Sequence, residues 1–400
     1  MLRYTVQPGD TVRRIANRCG IHADSLYAAN PQLSRAQHLA RGLVLSIPSA
    51  APQHYVLQHG DTVDGLSRIF GVSAAQLLLC NPHLNPMRPI PGRLLALPRA
   101  SASRFVDPNE EYGPRELYAD LNQLASAYPH LQVGMIGRSV LGRPLPCIRI
   151  GDGHKRMHVN ASFHANEWIT SLLAMTFAED YARAIARGEP LRGVDARALA
   201  GRVQLWIVPM VNPDGVEIAQ EGIWPGHPYY AEMMQWNRHS LRFFRWKANI
   251  RGVDLNDQFP AHWEEECARR GTEGPSSRDY PGTAPLSEPE AAAMAAHARQ
   301  MDFDLAIALH TQGQEIYWNY RDFEPAEAEP LAARLGMASG YRPVKLSGSD
   351  AGFKDWFIQE YRKPGFTIEA GIGVNPLPLE QFADLYDEVA PLLLEAMQSV

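Results

Sequence analysis

Four cysteines in 400 residues, Cys19, Cys80, Cys147 and Cys267, show no Cys-x-x-Cys spacing, which argues against both a disulfide framework and a thiolate zinc site. They read as buried thiols. Positive charge is also short: 38 Lys and Arg against 44 Asp and Glu leave a formal net charge of −6. Nucleic-acid binding usually rests on a basic face, so the balance argues against a general polyanion binder while leaving local basic patches open. No apolar run approaches the ~18 residues that a membrane helix needs. The first recurring motif starts at Tyr4, leaving no room for an apolar export segment, so the expectation is cytoplasmic synthesis without a signal peptide or a membrane span. What is present, 45% hydrophobic residues, suffices for a large core and two or three domains.

An internal repeat occupies the first hundred residues. Tyr4-Thr5-Val6-Gln7-Pro8-Gly9-Asp10-Thr11-Val12 returns as Tyr55-Val56-Leu57-Gln58-His59-Gly60-Asp61-Thr62-Val63, and Asn30-Pro31 as Asn81-Pro82. Each copy closes on a short apolar strand and proline, Val44 to Pro48 and Leu94 to Pro98. Within a copy, Asp or Thr of Gly-Asp-Thr can cap a helix. Helical spacing follows in Val12, Ile15 and Ala16, and in Val63, Leu66 and Ile69. A second short helix runs from Ala23 to Asn30, or from Ser73 to Asn81. The predicted order is βααβ, in modules spanning 1–49 and 52–99. These motifs resemble the lysin motif, which implies binding of N-acetylglucosamine-containing glycans such as peptidoglycan strands; the alternative is that the same residues only cap and turn the unit. Tandem copies favour binding, because a second site raises effective concentration on a repeating polymer.

Beyond a linker, Ala100-Ser101-Ala102-Ser103-Arg104, the chemistry begins at His164 and Glu167. They stand three apart where an apolar strand turns into a helix marked by Ile169, Leu172, Leu173, Phe177 and Tyr181. Zinc takes such nitrogen and oxygen ligands, and a catalytic site supplies three of them, leaving the fourth position to water. His262 and Glu265 repeat the spacing, but among Glu264, Glu265 and Glu266 with no strand before them they read as a solvated loop. His310 closes the apolar run Phe303 to Leu309, and functional groups gather at the carboxyl ends of strands in open α/β sheets. Glu369 ends a third such strand, Gly365 to Ile368. A buried carboxylate there needs a partner or a task; general acid/base catalysis and an arginine ion pair are both open.

His164-x-x-Glu167, Val208 to Gly215, Arg251-Gly252-Val253-Asp254-Leu255-Asn256, His310 and Thr367-Ile368-Glu369, together with Ile136 to Leu145, resemble the zinc carboxypeptidase family over roughly residues 108–400. The resemblance implies an α/β domain with a mixed, mostly parallel sheet of about eight strands between helices. It assigns His164, Glu167 and His310 to one zinc ion and Glu369 to acid/base catalysis. Arg251 resembles the arginine that serves the oxyanion, with Arg245 a competing candidate, and Arg143 and Asn256 resemble substrate-binding positions. The family's mobile substrate-contacting tyrosine has no counterpart.

One departure bears on substrate. Members that trim free C-termini carry Asn-Arg where this chain has Asn256-Asp257, so a bidentate carboxylate clamp is replaced by an anion. Asp257 would suit a residue bearing a nearby ammonium, or it pairs with a neighbouring arginine. Lysin-type modules before such a domain, and the run Trp246 to Pro260, resemble γ-D-glutamyl-L-diamino acid endopeptidases. The resemblance implies hydrolysis of the γ-D-glutamyl-meso-diaminopimelate bond of peptidoglycan stem peptides, with cell-wall or spore association. The rival readings are a conventional metallocarboxypeptidase and a glycan-binding adaptor with an inert peptidase domain.

Other segments have plainer readings. Leu117, Leu121, Leu124 and Tyr128 mark a packing helix, Ser287-Glu288-Pro289-Glu290 a capping box, and Asn212-Pro213-Asp214-Gly215 a turn shaping the pocket. The aromatic-rich insertion Gly222 to Phe244 is a substrate loop, a lid or packing. Gly348 to Trp356 lines the pocket through Asp350 or Lys354, or only packs.

Overall fold

The computed structural model describes residues 104–400 throughout, and residues 2–97 except 20, 22, 34–37, 49–52, 58, 59, 64, 67–76, 79, 80, 82, 83, 87 and 88. Ile69, the second helix start at Ser73, Cys80, Pro82, Pro98 and linker residues 100–103 lie outside the described residues. The chain forms two compact units, Met1–Glu111 and Tyr112–Val400.

In the first unit, β1 (Leu2–Thr5) pairs antiparallel with β2 (Val44–Ile47), and β3 (Gln53–Val56) with β4 (Leu94–Leu97). Helices Val12–Arg18 and Ala23–Ala29 lie between the first pair of strands in sequence, and Val6, Ile15, Ala16, Leu26, Leu45 and Ile47 form that module's core. The repeat residues have distinct tasks. Gly9 and Gly60 adopt φ of +84° and +92°, a conformation cheap only without a Cβ. Thr11 Oγ1 accepts from Arg14 N at 3.1 Å and Thr62 Oγ1 from Gly65 N at 3.0 Å, so threonine caps the helix. Asp10 instead accepts from Tyr4 Oη at 2.6 Å and Gln7 N at 2.7 Å, closing the strand end. Asn30 donates to Leu26 O and Ser46 O and accepts from Ser46 N. Asn81 makes the same three bonds to Leu77 and Ala96, so the asparagine clips its turn to the returning strand.

The second unit is a mixed sheet of eight strands among helices. Its strands are β5 (Leu131–Arg138), β6 (Pro144–Ile150), β7 (Lys155–Ala161), β10 (Val203–Val208), β11 (Leu305–His310), β12 (Glu315–Tyr317), β13 (Arg342–Val344) and β14 (Gly365–Glu369), in the order β13-β12-β14-β11-β7-β10-β6-β5. A two-residue hairpin, β8 (Pro190–Leu191) and β9 (Val194–Asp195), stands apart from the sheet. The central strands β14, β11, β7 and β10 run parallel. Their continuous apolar character, as in Leu305-Ala306-Ile307-Ala308-Leu309 with every residue buried, fits strands covered on both faces. Helix Ile169–Arg187 follows β7 and buries Ile169, Leu172, Leu173, Phe177 and Tyr181. Parallel neighbours end on the same edge of the sheet, so β7, β11 and β14 deliver their last residues to one place.

Two local expectations are corrected. No capping box forms at Ser287: Glu288 is the N-cap without a side-chain bond. Ser287 Oγ turns to Gln258 Oε1 at 3.2 Å, and the buried Glu290 accepts from Val140 N at 3.0 Å, because tertiary partners outcompete the local motif. Of the thiols, Cys147 is buried, whereas Cys19 and Cys267 are only half-buried; all three are free.

Candidate active site

The turn after β7 is held from below by the helix it feeds. Ser162 takes a positive φ of 50°; its N–H donates to Thr170 Oγ1 at 2.9 Å and its hydroxyl meets Ser171 Oγ at 2.7 Å. Asn212, the turn residue after β10, donates to both Phe163 O and Ala248 O at 3.1 Å, which pins the segment carrying His164. A single helical turn, Ala165–Glu167, then swings Glu167 back towards His164.

His164 Nδ1 stands 2.9 Å from Glu167 Oε1, and His310 Nδ1 stands 3.0 Å from Glu167 Oε2. The two Nδ1 atoms are 3.2 Å apart, a distance at which two imidazole lone pairs repel unless a proton or cation lies between them. All three side chains are buried, and their ligand atoms lie within 4.8 Å of one another. Among the described residues this is the only convergent group of three or more His, Cys, Asp or Glu side chains. Two imidazoles and one carboxylate are the donor set of catalytic zinc sites, so the residues fit the ion.

Glu369 is the register neighbour of His310 on the adjacent strand. Burial and the Glu167 charge push its carboxyl up to about 8. Burial opposes charge on His164, but Glu167 and Asp254 outweigh it and raise the imidazole to about 9. A carboxyl displaced towards neutral pH is suited to proton transfer, whereas the raised His164 reflects the negative charge gathered around it.

Behind His164 lies a cation that sequence reasoning missed. His164 Nε2 meets Asp254 Oδ1 at 3.2 Å, and Lys247 Nζ meets Asp254 Oδ2 at 2.6 Å and Asp279 Oδ1 at 3.2 Å. A carboxylate on Nε2 fixes the tautomer that leaves Nδ1 bare for a metal. The Lys247 side chain is 12% exposed, and its charge acts on His164, His310 and Glu369 alike. Burial disfavours the ammonium, but Asp254, Asp257 and Asp279 hold it above its ordinary range. The only sequence signal was its place inside the run Trp246 to Pro260.

Asn375 was missed as well. Its amide donates to Glu167 Oε1 at 3.3 Å and to Thr311 O at 2.7 Å, and its Oδ1 accepts from Thr311 Oγ1 at 2.7 Å. No motif marked it, because it reaches Glu167 only through the fold.

The remaining expected residues are placed differently. Arg251 is exposed and its guanidinium lies 3.6 Å from Glu288, with Tyr229 as its other partner; Arg245 is exposed. Neither has a contact with the His164, Glu167, His310 and Glu369 group. Arg143 is held by Asp214 at 3.2 Å and Glu217 at 2.5 Å, so it is committed to an ion-pair cluster away from that group. Asn256 accepts from Phe353 N at 3.1 Å. Asp257, one residue from the Lys247 and Asp254 array, is buried, and its carboxylate takes Arg270 Nη2 at 2.9 Å. Arg270 Nε also lies 2.8 Å from Asp257 Oδ2, close but not aligned as a hydrogen bond. The arginine-pair reading of Asp257 therefore describes it, since a buried carboxylate without a partner is costly.

Asp350 is bound by Arg321, Arg269 and Tyr320, and Lys354 by Asp355 and Asn319 O. His262 meets Tyr320 Oη at 3.0 Å and Glu265 pairs with Arg321; the solvated loop expected there is instead the start of helix Trp263–Arg270, with His262 at its N-cap and Glu266 buried. The insertion Gly222 to Phe244 packs Met233 and Phe243 with Ala165, Ile218 and Trp246, so it buttresses the turn that carries His164.

Comparison with known proteins bears on the whole arrangement. The zinc carboxypeptidase model matches residues 117–369, and the LysM domain model matches 4–48 and 55–98. The γ-D-glutamyl-L-diamino acid endopeptidase 1 of Lysinibacillus sphaericus is 46% identical over 294 residues, covering 74% of each chain. An uncharacterized protein of Bacillus subtilis is 40% identical over 297 residues, covering 73% of this chain and 79% of its own. Among solved structures, thrombin-activatable fibrinolysis inhibitor shares the fold, with a TM-score of 0.61 at 22% identity over 76% of this chain and 77% of its own.

Proposed function

The chain belongs to the zinc carboxypeptidase family and is a zinc metallopeptidase carrying two N-terminal LysM domains, and we propose that it cleaves the γ-D-glutamyl-meso-diaminopimelate bond of peptidoglycan stem peptides. The observation that carries the chemistry is the convergence of His164, Glu167 and His310 beside Glu369. The substrate class rests on the 46% identity to a γ-D-glutamyl-L-diamino acid endopeptidase. In this reading the modules span 1–49 and 52–99, the catalytic domain spans 108–400, and the modules hold the glycan strand of the wall. No described helix is long and apolar enough to cross a membrane.

His164, Glu167 and His310 would hold the zinc ion, which, when bound, polarises a carbonyl and lowers the pKa of water from near 16 to about 7. Glu369 accepts the proton of the attacking water on its carboxylate and returns it to the departing amine of the diamino acid. Its carboxyl suits both roles because burial already moves it towards neutrality. Asp254 keeps His164 in the ligating tautomer, and Asn375 holds the Glu167 carboxylate in one orientation. Lys247, rather than Arg251, supplies the fixed positive charge beside the reacting carbonyl, where negative charge develops and a preorganised cation is most effective. Asp257, paired with Arg270, makes the flank next to this cation polar and charged, in keeping with a diamino acid as leaving group.

The test is to incubate the zinc-loaded protein with L-Ala-γ-D-Glu-meso-diaminopimelate and its D-alanyl extension and to identify the fragments by mass. Release of L-Ala-D-Glu is the expected result. Removal of terminal D-alanine alone would instead mark a conventional carboxypeptidase. Glu369→Gln should retain zinc and lose about 10²- to 10⁴-fold in turnover; near-normal turnover would reject its assignment.

A further inference from the structure

Ile372 and Val374 are 62% and 60% exposed, yet they sit on a turn tied by hydrogen bonds at both ends. The turn begins two residues after Glu369. Gly371 O accepts from Gly313 N at 2.7 Å and Gln314 N at 3.2 Å, and Gly373 N donates to Gln312 Oε1 at 3.3 Å. Gly371 has φ +72°, and a Cβ there would lie 2.6 Å from Leu385 and 2.8 Å from Leu377, so the backbone presses into the core. At its far end the turn is locked by Asn375 to Thr311 and to Glu167 itself. The two aliphatic side chains are therefore held between the strand end bearing Glu369 and a contact on a metal-binding carboxylate. Single exposed aliphatics are ordinary; a pair on a rigid turn at the mouth of a catalytic site is a prebuilt apolar rim.

The surroundings of His164 have contrary chemistry. Behind His164 the array of Asp254, Lys247, Asp279, Asp257 and Arg270 is ionic throughout. On the substrate of the proposed reaction, the group leaving the bond is a diamino acid rich in ammonium and carboxylate. The acyl side beyond the glutamyl residue carries alanine, whose methyl is uncharged. We propose that Ile372 and Val374 form a specificity rim that takes the alanyl methyl on the acyl side of the scissile bond, with the diamino acid lying towards the ionic flank. This rests on the substrate reading above.

The test compares kcat/KM for L-Ala-γ-D-Glu-meso-diaminopimelate with that for its glycyl analogue, Gly-γ-D-Glu-meso-diaminopimelate, in the wild-type chain and in the double variant Ile372→Ser with Val374→Ser. A ratio within one protein is insensitive to zinc loading and to the fraction folded. Burying one methyl group favours binding about fourfold, so the wild-type ratio should be about fourfold or more and fall towards unity in the variant, mainly through KM. An unchanged ratio overturns the rim. So does a variant that instead alters discrimination between the tripeptide and its D-alanyl extension, because that would put the rim on the leaving side. If the wild-type protein cleaves neither peptide at the glutamyl bond, the substrate reading falls first and the rim with it; cleavage of both at equal rates removes the rim alone.

Discussion

Replacing Lys247 by methionine keeps most of the buried stem and removes only the charge. In the native protein its ammonium lies 2.6 Å from Asp254 Oδ2 and 3.2 Å from Asp279 Oδ1. Asp279 is about a third exposed and can fall back on water, but Asp254 is fully buried. Without Lys247 it keeps His164, the N–H of Asn256 and the more distant charge of Arg270. Removing one partner of a buried ion pair costs about 3–5 kcal/mol. At about 2–4 °C per kcal/mol for a unit of this size, the melting temperature should fall by roughly 6–20 °C. Turnover should fall further than stability explains: loss of a preorganised charge where an oxyanion develops costs about 10²- to 10³-fold in kcat. Lys247→Arg, which preserves the charge, should recover a large part of both. Thermal melts read the first effect, and kcat with KM, measured well below the variant's melting temperature, reads the second. A methionine variant that melts like the wild type and turns over within about threefold of it would refute the reasoning that a charge in this position assists the reaction.

Other consequences follow from the same geometry. Asn375→Asp, which sets a carboxylate against Glu167, should weaken zinc binding by about 10- to 100-fold, as loss of a partner behind a metal ligand commonly does; competition with a chromophoric chelator measures it, and unchanged affinity would show that the Asn375 contact is incidental. Glu290 is buried and its carboxyl is pushed up to about 8 by that burial. Its folded pKa lies above its unfolded value, so the folded state binds the extra proton, and this stabilisation, complete below the unfolded carboxyl range, is lost as pH rises towards 8. Glu290→Gln cannot ionise, and its melting temperature relative to wild type should climb from pH 5 to pH 8; a constant difference would contradict the buried-carboxyl account.

Much of the candidate site is legible in residue order. His164 and Glu167 shared a strand-to-helix turn, while His310 and Glu369 each closed a continuous apolar run. Strands buried on both faces advertise themselves by such runs, and the residue ending one is the residue that reaches the carboxyl edge of the sheet. The cation was not legible in the same way. Arg251 lay in the expected motif, but its side chain points to Glu288 and Tyr229, whereas Lys247 turns inward because Asp254 and Asp279 wait for it. Asp257 shows the same limit: its charge suggested a partner in the substrate, and the fold supplied Arg270 from thirteen residues away. Ser287 and Glu290 matched a local capping pattern and were claimed by Gln258 and Val140 instead.

By itself the amino-acid sequence determined the repeat of the N-terminal module, the apolar strands at the heart of the second unit and the candidate metal trio His164, Glu167 and His310. Each of these depends on periodicity, local capping and turn chemistry, which act over a few residues and leave their trace in residue order. Tertiary structure alone decided that Lys247 rather than Arg251 joins the Asp254 and His164 array, that Asn375 holds the Glu167 carboxylate, and that Asp257 pairs with Arg270. Those outcomes are settled by side chains far apart in the chain, where the cost of burying an unpaired charge selects among several plausible partners and the selection depends on distances that no linear pattern encodes.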